Sequence, residues 1–133
     1  LLGRKEGDMQ IAQAMREKKG CLAFIDLDNL KRTNDTMGHL AGDFALKTVG
    51  EVLTENGKDA VVSRMGGDEF LFYMIGADKE MATKIVEQGI HSFQERKEKN
   101  SYLSVSSLSI GLCTTTTNDT FLLLFFTSYI FLC

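Results

Sequence analysis

Arg-Met-Gly-Gly-Asp-Glu-Phe at residues 64–70 is the stretch of sequence that decides this fold. Apolar runs flank it on both sides and predict two β-strands, joined by a hairpin at Gly66 and Gly67 because glycine reaches positive φ without steric cost. Asp68 and Glu69 follow the turn directly, and paired acids are costly unless a cation lies beside them. The stretch therefore predicts either a solvated hairpin tip with ordinary surface acids or a turn that holds a divalent metal.

A second pair of carboxylates favours the metal. Asp26 and Asp28 lie at the end of another apolar run, residues 21–25, about 40 residues upstream of the turn. Two acidic strand ends in one small domain are the arrangement that a metal–phosphate site needs.

The composition is that of one globular domain. The chain has 133 residues, 44% of them hydrophobic and 25% charged, and a net charge of −3. This charge gives no reason to expect nucleic acid as a partner. The three cysteines are widely spaced, which argues against zinc, and Cys21 is expected to be a reduced thiol in the core, as suits the cytoplasm. No signal peptide is expected, and the missing initiator Met suggests an excised fragment.

Hydrophobic periodicity predicts four helices and four strands in the order α-β-α-α-β-β-α-β, which indicates an α+β sandwich with helices packed on one side of a sheet. The predicted helices cover residues 8–18, 29–37 and 40–55, with a fourth beginning at Asp78. The predicted strands cover residues 21–27 and 102–112, with the hairpin at about 60–76.

The composition changes after Lys99, beyond which Asp119 is the single charged residue. Phe121–Cys133 carries no charge, but its 13 residues are fewer than the roughly 20 that span a bilayer. We therefore expect no membrane contact by the domain itself. A buried strand, a buried helix and a sequence foreign to the fold remain open for this segment.

Three motifs at defined spacings strongly resemble the GGDEF family, the diguanylate cyclases. They are Asp26-Leu27-Asp28-x-x-Lys31-x-x-Asn34-Asp35, Gly38-His39-x-x-Gly42-Asp43, and residues 64–70. The resemblance covers residues 1 to about 112. It divides the chain into a GGDEF domain at 1–113, whose N-terminal turn motif is truncated, and an atypical apolar tail at 114–133.

The resemblance implies a nucleotide-cyclase or palm-like sandwich, with a mostly antiparallel central sheet flanked by helices. It implies that two GTP molecules are joined into cyclic di-GMP with release of pyrophosphate. Two domains would each present one GTP and meet face to face as a homodimer. An upstream sensory domain is expected in the full-length protein, and the location is expected to be cytoplasmic, including the cytoplasmic part of a membrane-anchored sensor.

The resemblance also assigns the acids. Asp26 and Asp68, with the carbonyl of Leu27, would hold Mg²⁺ or Mn²⁺, because these hard cations prefer oxygen ligands. Asp68 or Glu69 is the candidate acceptor of the proton from the attacking 3′-hydroxyl.

Asn34 and Asp43 would read guanine. A carboxylate can accept from guanine N1–H and N2–H₂, and an amide can serve O6 or N3. His39 would lie near the base or brace Asp43, with a structural role as the alternative.

Lys31 and the backbone N–H groups of Asn29 and Leu30 would contact phosphates. Leu30 stands where the family usually has Phe. Arg64 is expected to pair with a motif carboxylate.

Two departures from the family bear on function. Gly57 and Ala60 occupy the positions of the product-inhibition motif RxxD, so that motif is absent. The family's C-terminal helix carries basic residues that grip the triphosphate, whereas this chain has no Lys or Arg after Lys99. The alternative to a cyclase is therefore a degenerate module that binds GTP and regulates a partner domain. A scaffold without nucleotide is disfavoured by the complete set of base-reading residues.

Overall fold

The computed structural model describes residues 4–116, and within them four helices and four strands follow one another in the predicted order. A short 3₁₀ turn at Ser101–Leu103 precedes the last strand. The elements are α1 Arg4–Glu17, β1 Gly20–Asp28, α2 Leu30–Met37, α3 His39–Asn56, β2 Ala60–Arg64, β3 Glu69–Ile75, α4 Lys79–Lys99 and β4 Ser107–Thr115.

The four strands form one antiparallel sheet in the order β2-β3-β1-β4. β1 is central and pairs with β3 on one side and with β4 on the other. Gly20 therefore lies opposite Thr115, a residue 95 positions away in the chain. The prediction of an α+β fold with a mostly antiparallel sheet is confirmed.

Helices cover both faces of this sheet. Alternate residues of a strand point to opposite faces, and residues 21, 23, 25 and 27 of β1 pack against α3 and α4. Leu22 and Phe24 instead join Ile11 and Met15 of α1 in a second cluster. The prediction of helices on one side was therefore wrong. The unbroken burial of residues 20–25 is typical of a strand that is covered on both faces.

Two predicted boundaries were also wrong. α1 begins at Arg4 rather than at residue 8, so Asp8 lies inside the helix, where its Oδ1 accepts a hydrogen bond from Ser63 Oγ at 3.1 Å. The last strand begins at Ser107 rather than at residue 102. The side chain of Asn100 accepts from the Tyr102 N–H at 2.9 Å, and this cap starts a 3₁₀ turn where a strand was expected.

Among residues 4–116, no helix is both long enough and apolar enough to cross a membrane. Phe121–Cys133, the segment left open by the sequence, lies outside the described residues. The division between a domain at 1–113 and a tail at 114–133 stays a prediction.

Candidate functional site

The two acidic strand ends meet at one edge of the sheet. Asp26, near the end of β1, lies opposite Glu69, the first residue of β3. The Leu27 N–H donates to the Asp68 carbonyl at 2.9 Å. The sheet thus brings Asp26, Leu27, Asp68 and Glu69 together, although the two pairs are far apart in the sequence.

Asp26 lies in a setting that disfavours its ionised form. Burial, then the charge of Asp68 and then that of Asp28 raise the pKa of Asp26 above its ordinary value of 3.8. Desolvation and like charges both disfavour the ionised carboxylate. A cation placed among these oxygens would reverse the effect, so the electrostatics favour a bound metal.

β2 and β3 form the predicted hairpin, but the backbone of its turn differs from the one expected. Neither Gly66 nor Gly67 has positive φ. The Met65 N–H donates to the Glu69 carbonyl at 2.8 Å and closes a loop longer than the two-residue turns that demand positive φ. A Cβ on Gly66 or Gly67 would meet nothing within 4 Å, so this side of the turn is open enough to admit a ligand.

Arg64 holds this loop from within. Its Nε donates to the Gly66 carbonyl at 3.1 Å, and its Nη2 donates to the Gly67 carbonyl at 2.7 Å. The expectation that Arg64 pairs with a motif carboxylate is therefore corrected. The guanidinium orients the loop that leads into Asp68.

The donor set at the edge fits a magnesium ion that is shared with a nucleotide. Within the described ranges, no group of three or more His, Cys, Asp or Glu side chains is placed to hold a metal by itself. Mg²⁺ is usually bound through one or two carboxylates, with substrate phosphates completing the shell. Asp26, Asp68 and the Leu27 carbonyl supply that number of protein oxygens.

The proposed base-reading residues lie on α2 and α3, which pack together beyond the end of β1. Gly42 lies directly against the side chain of Asn34, and a Cβ at position 42 would overlap Asn34 Oδ1. That oxygen is buried and has no hydrogen-bond partner within residues 4–116. This close packing fixes the side chain of Asn34 between α2 and α3.

Asp43 is exposed on the next residue of α3, and His39 is exposed one turn before it. Side chains four residues apart share a helix face, so His39 lies on the same side of α3 as Asp43. The sequence prediction for this pair is compatible with the structure, and which of its two roles His39 has stays a prediction.

The residues expected to contact phosphate lie at the start of α2. Asn29 precedes the helix with φ 65° and ψ 25°, a left-handed conformation, and its carbonyl accepts the Thr33 N–H at 2.9 Å. Lys31 is exposed, and Leu30 is half-buried against the main core. Backbone N–H groups at a helix start favour anions, which suits the predicted role of this segment.

Sequence reasoning missed two sets of contacts at this site. Gly42 brings Asn34 against α3, and a glycine inside a helix was a usable signal because it costs about 1 kcal/mol relative to alanine. Two serines of β4, Ser107 and Ser109, donate to Asp28. No local pattern predicts those contacts, because each serine lies about 80 residues from Asp28 in the chain.

An antiparallel sheet with helices on both faces, and with carboxylates gathered at one strand end, defines an α+β domain with an acidic site at the edge of its sheet. The family model described as "Diguanylate cyclase, GGDEF domain" matches residues 4–124. The chain belongs to the GGDEF domain family.

Relatives and solved structures agree with this assignment. The "Probable diguanylate cyclase DgcI" of Escherichia coli K12 is 38% identical over 95 residues, which are 68% of this chain and 21% of that protein. "Diguanylate cyclase DgcP" of the same organism is 39% identical over 95 residues, 67% of this chain and 27% of that protein. The chain thus spans 21–27% of the length of these relatives. The GGDEF domain of DgcB from Caulobacter crescentus, solved in complex with c-di-GMP, matches with a TM-score of 0.76 at 25% identity, over 88% of this chain and 72% of that one.

Proposed function

We propose that this domain is a diguanylate cyclase, which condenses two GTP molecules into cyclic di-GMP with release of pyrophosphate. The observation that carries the proposal is the meeting of Asp26 and Asp68 at one sheet edge, where the Leu27 N–H donates to the Asp68 carbonyl. Family membership supports it, because curated relatives of this chain are named as diguanylate cyclases.

Each group at the site has a role in this proposal. Asp26, Asp68 and the Leu27 carbonyl would hold Mg²⁺ or Mn²⁺, which when bound neutralises the triphosphate and acidifies the 3′-hydroxyl. Asp68 or Glu69 takes the proton of that hydroxyl. The amides of Asn29 and Leu30, together with Lys31, orient the phosphates so that the α-phosphorus is exposed to attack.

Guanine would be held between α2 and α3. The side-chain amide of Asn34 would donate to guanine O6 or N3, and the Asp43 carboxylate would accept from N1–H and N2–H₂. A site built to pair with a base rejects one that leaves its polar groups unsatisfied, so this arrangement selects GTP over ATP.

The reaction joins two nucleotides, and a site of this kind presents one. We therefore propose that a second copy of the domain faces the first, as a homodimer. GTP is a cytoplasmic nucleotide, so the domain is proposed to work in the cytoplasm, joined to an upstream sensory domain.

One observation favours a second function. The chain has no Lys or Arg after Lys99, where the family carries cations that grip the triphosphate. A domain with an intact base pocket and a weakened phosphate grip would bind GTP and regulate a partner domain without turnover.

Two measurements on the 133-residue chain test these proposals. Titration with labelled GTP and Mg²⁺, with ATP as competitor, measures binding, and pyrophosphate release measures turnover. A cyclase binds GTP selectively and releases pyrophosphate, whereas a regulatory module binds without release. Asp43→Ala should reduce the preference for GTP over ATP. If ATP competes as well as GTP against the unaltered chain, the assignment of Asn34 and Asp43 is wrong.

A further inference from the structure

The segment that joins β1 to α2, residues 28–31, is held by three side-chain hydrogen bonds, two from β4 and one to Val105 just before that strand. We name this segment the β1–α2 corner. Ser107 Oγ donates to Asp28 Oδ2 at 2.9 Å, and Ser109 Oγ donates to the same oxygen at 2.7 Å. Asn29 Nδ2 donates to the Val105 carbonyl at 2.9 Å. The corner is thus held from outside by a part of the chain that contributes no residue to the catalytic set proposed above.

The β1–α2 corner needs these hydrogen bonds because its backbone has an unfavourable conformation at Asn29. Asn29 has φ 65°, a left-handed conformation that is unfavourable for residues other than glycine, although asparagine tolerates it better than most. Conformations of this kind persist when the surrounding structure fixes them. Since the Asn29 carbonyl also accepts the first hydrogen bond of α2, this conformation sets the direction of the first N–H groups of the helix.

The two serines are placed for this purpose by the register of the sheet. Ser107 lies opposite Asp28, and Ser109 lies opposite Asp26, on the same face of the sheet. Both hydroxyls reach one oxygen of Asp28, and hydrogen bonds to a charged acceptor are among the stronger ones. The Asp28 carboxylate is therefore fixed toward β4.

We propose that Ser107 and Ser109 are positioning residues for triphosphate binding, which act by holding Asp28 and, through it, the β1–α2 corner. This inference rests on the proposed function, because it concerns how the same site grips GTP. The serines touch neither substrate nor metal. They fix the segment whose amides, with Lys31, take the phosphates.

The decisive experiment compares ligands with and without phosphate. Ser107→Ala with Ser109→Ala removes both hydroxyls, and Ser107→Thr with Ser109→Thr retains them. Ser104→Ala removes an exposed hydroxyl nearby and serves as the control. Affinities for GTP with Mn²⁺ and for guanosine are measured by NMR titration on the full chain.

The double alanine variant should bind GTP about tenfold more weakly, a loss comparable to one charge-assisted contact. Its affinity for guanosine should change less than about twofold, because Asn34 remains packed against Gly42 on α3. The threonine variant should recover GTP binding, and Ser104→Ala should match the unaltered chain. Equal losses for GTP and guanosine would reduce the serines to a general structural role and overturn the inference, as would an unchanged affinity for GTP.

A second measurement needs no nucleotide. Amide hydrogen exchange at Thr33, whose N–H donates to the Asn29 carbonyl, should be faster in the double alanine variant than in the unaltered chain or in Ser104→Ala. Unchanged exchange there overturns the hold itself. If the unaltered chain does not bind GTP at all, the proposed function falls and the phosphate role falls with it, whereas the exchange data still decide whether the serines fix the corner.

Discussion

Asp26→Asn should stabilise the nucleotide-free domain while removing its ability to bind metal and GTP. Burial and the charges of Asp68 and Asp28 raise the pKa of Asp26 above 3.8, so the folded state binds the proton more tightly than the unfolded state. The stability linked to that proton is fully present below pH 3.8 and is lost as the pH rises through the pKa of the folded state. At neutral pH the carboxylate opposes folding, and asparagine removes its charge with almost no change in size.

The size of the gain follows from the setting of Asp26, which is half-buried between two other acids. Relief of unfavourable charge commonly stabilises a domain by about 0.5–2 kcal/mol. One kcal/mol corresponds to about 4 °C in Tm for a domain a little above 100 residues. We therefore expect Tm to rise by about 2–8 °C at neutral pH, and the gain to shrink toward zero as the pH approaches the ordinary pKa of aspartate.

Scanning calorimetry in EDTA over a series of pH values measures this gain. Asp59→Asn is the matched control, because it removes the same charge from an exposed turn before β2. Adding Mg²⁺ and GTP should reverse the order, so that the unaltered chain has a higher Tm than Asp26→Asn, since ligand stabilises only a chain that binds it. A lower Tm for Asp26→Asn in EDTA, a gain no larger than that of Asp59→Asn, or a gain that grows as the pH falls would refute the reasoning.

Three further predictions concern other parts of the site. Gly42→Ala should weaken GTP binding by at least about tenfold in a fluorescence titration, because the added Cβ overlaps Asn34 Oδ1; unchanged affinity would show that the packing of α2 on α3 is not needed. Calorimetry should show no tight binding of cyclic di-GMP near residues 57–60, because Gly57 stands in place of the arginine of the product-inhibition motif and its Cα lies against the Phe72 ring. A product-bound structure with ligand there would contradict this. Replacing residues 117–133 with a helix that carries Lys and Arg should raise pyrophosphate release, as each charge-assisted contact adds about 1.5–3 kcal/mol; equal rates before and after would show that the missing cations do not matter.

The elements that the sequence predicted well are those with a strong local signal. The apolar stripe of α3 and the buried run of β1 follow from hydrophobic periodicity, which depends on neighbours along the chain. The start of β4 was missed for the same reason, because Tyr102–Val105 alternates like a strand while the side chain of Asn100 imposes a 3₁₀ turn. A single side-chain cap there overrides the pattern.

The sequence predicted the residues of the candidate site but not the contacts that hold them in place. Motif spacing pointed to Asp26, Asp68 and Asn34, and the structure places the first two at one sheet edge. The contact between Asn34 and Gly42 is set by how closely two helices approach, and the contact of Ser109 with Asp28 is set by strand register. Both depend on tertiary distances, which periodicity does not contain.

The pairing of β1 with β4 has a consequence for the order of events during folding. The central strand cannot complete its ladder until a partner 95 residues later is available, and closing so large a loop costs entropy before any contact repays it. Chains dominated by such distant pairings fold on the order of milliseconds to seconds. On the ribosome, the β1–α2 corner cannot be fixed until β4 has been synthesised. The helices that carry the base-reading residues are therefore made before the phosphate-binding segment can be held in place. A nascent or truncated chain that ends before Ser107 would accordingly bind GTP more weakly than the full chain, even with every motif residue already synthesised.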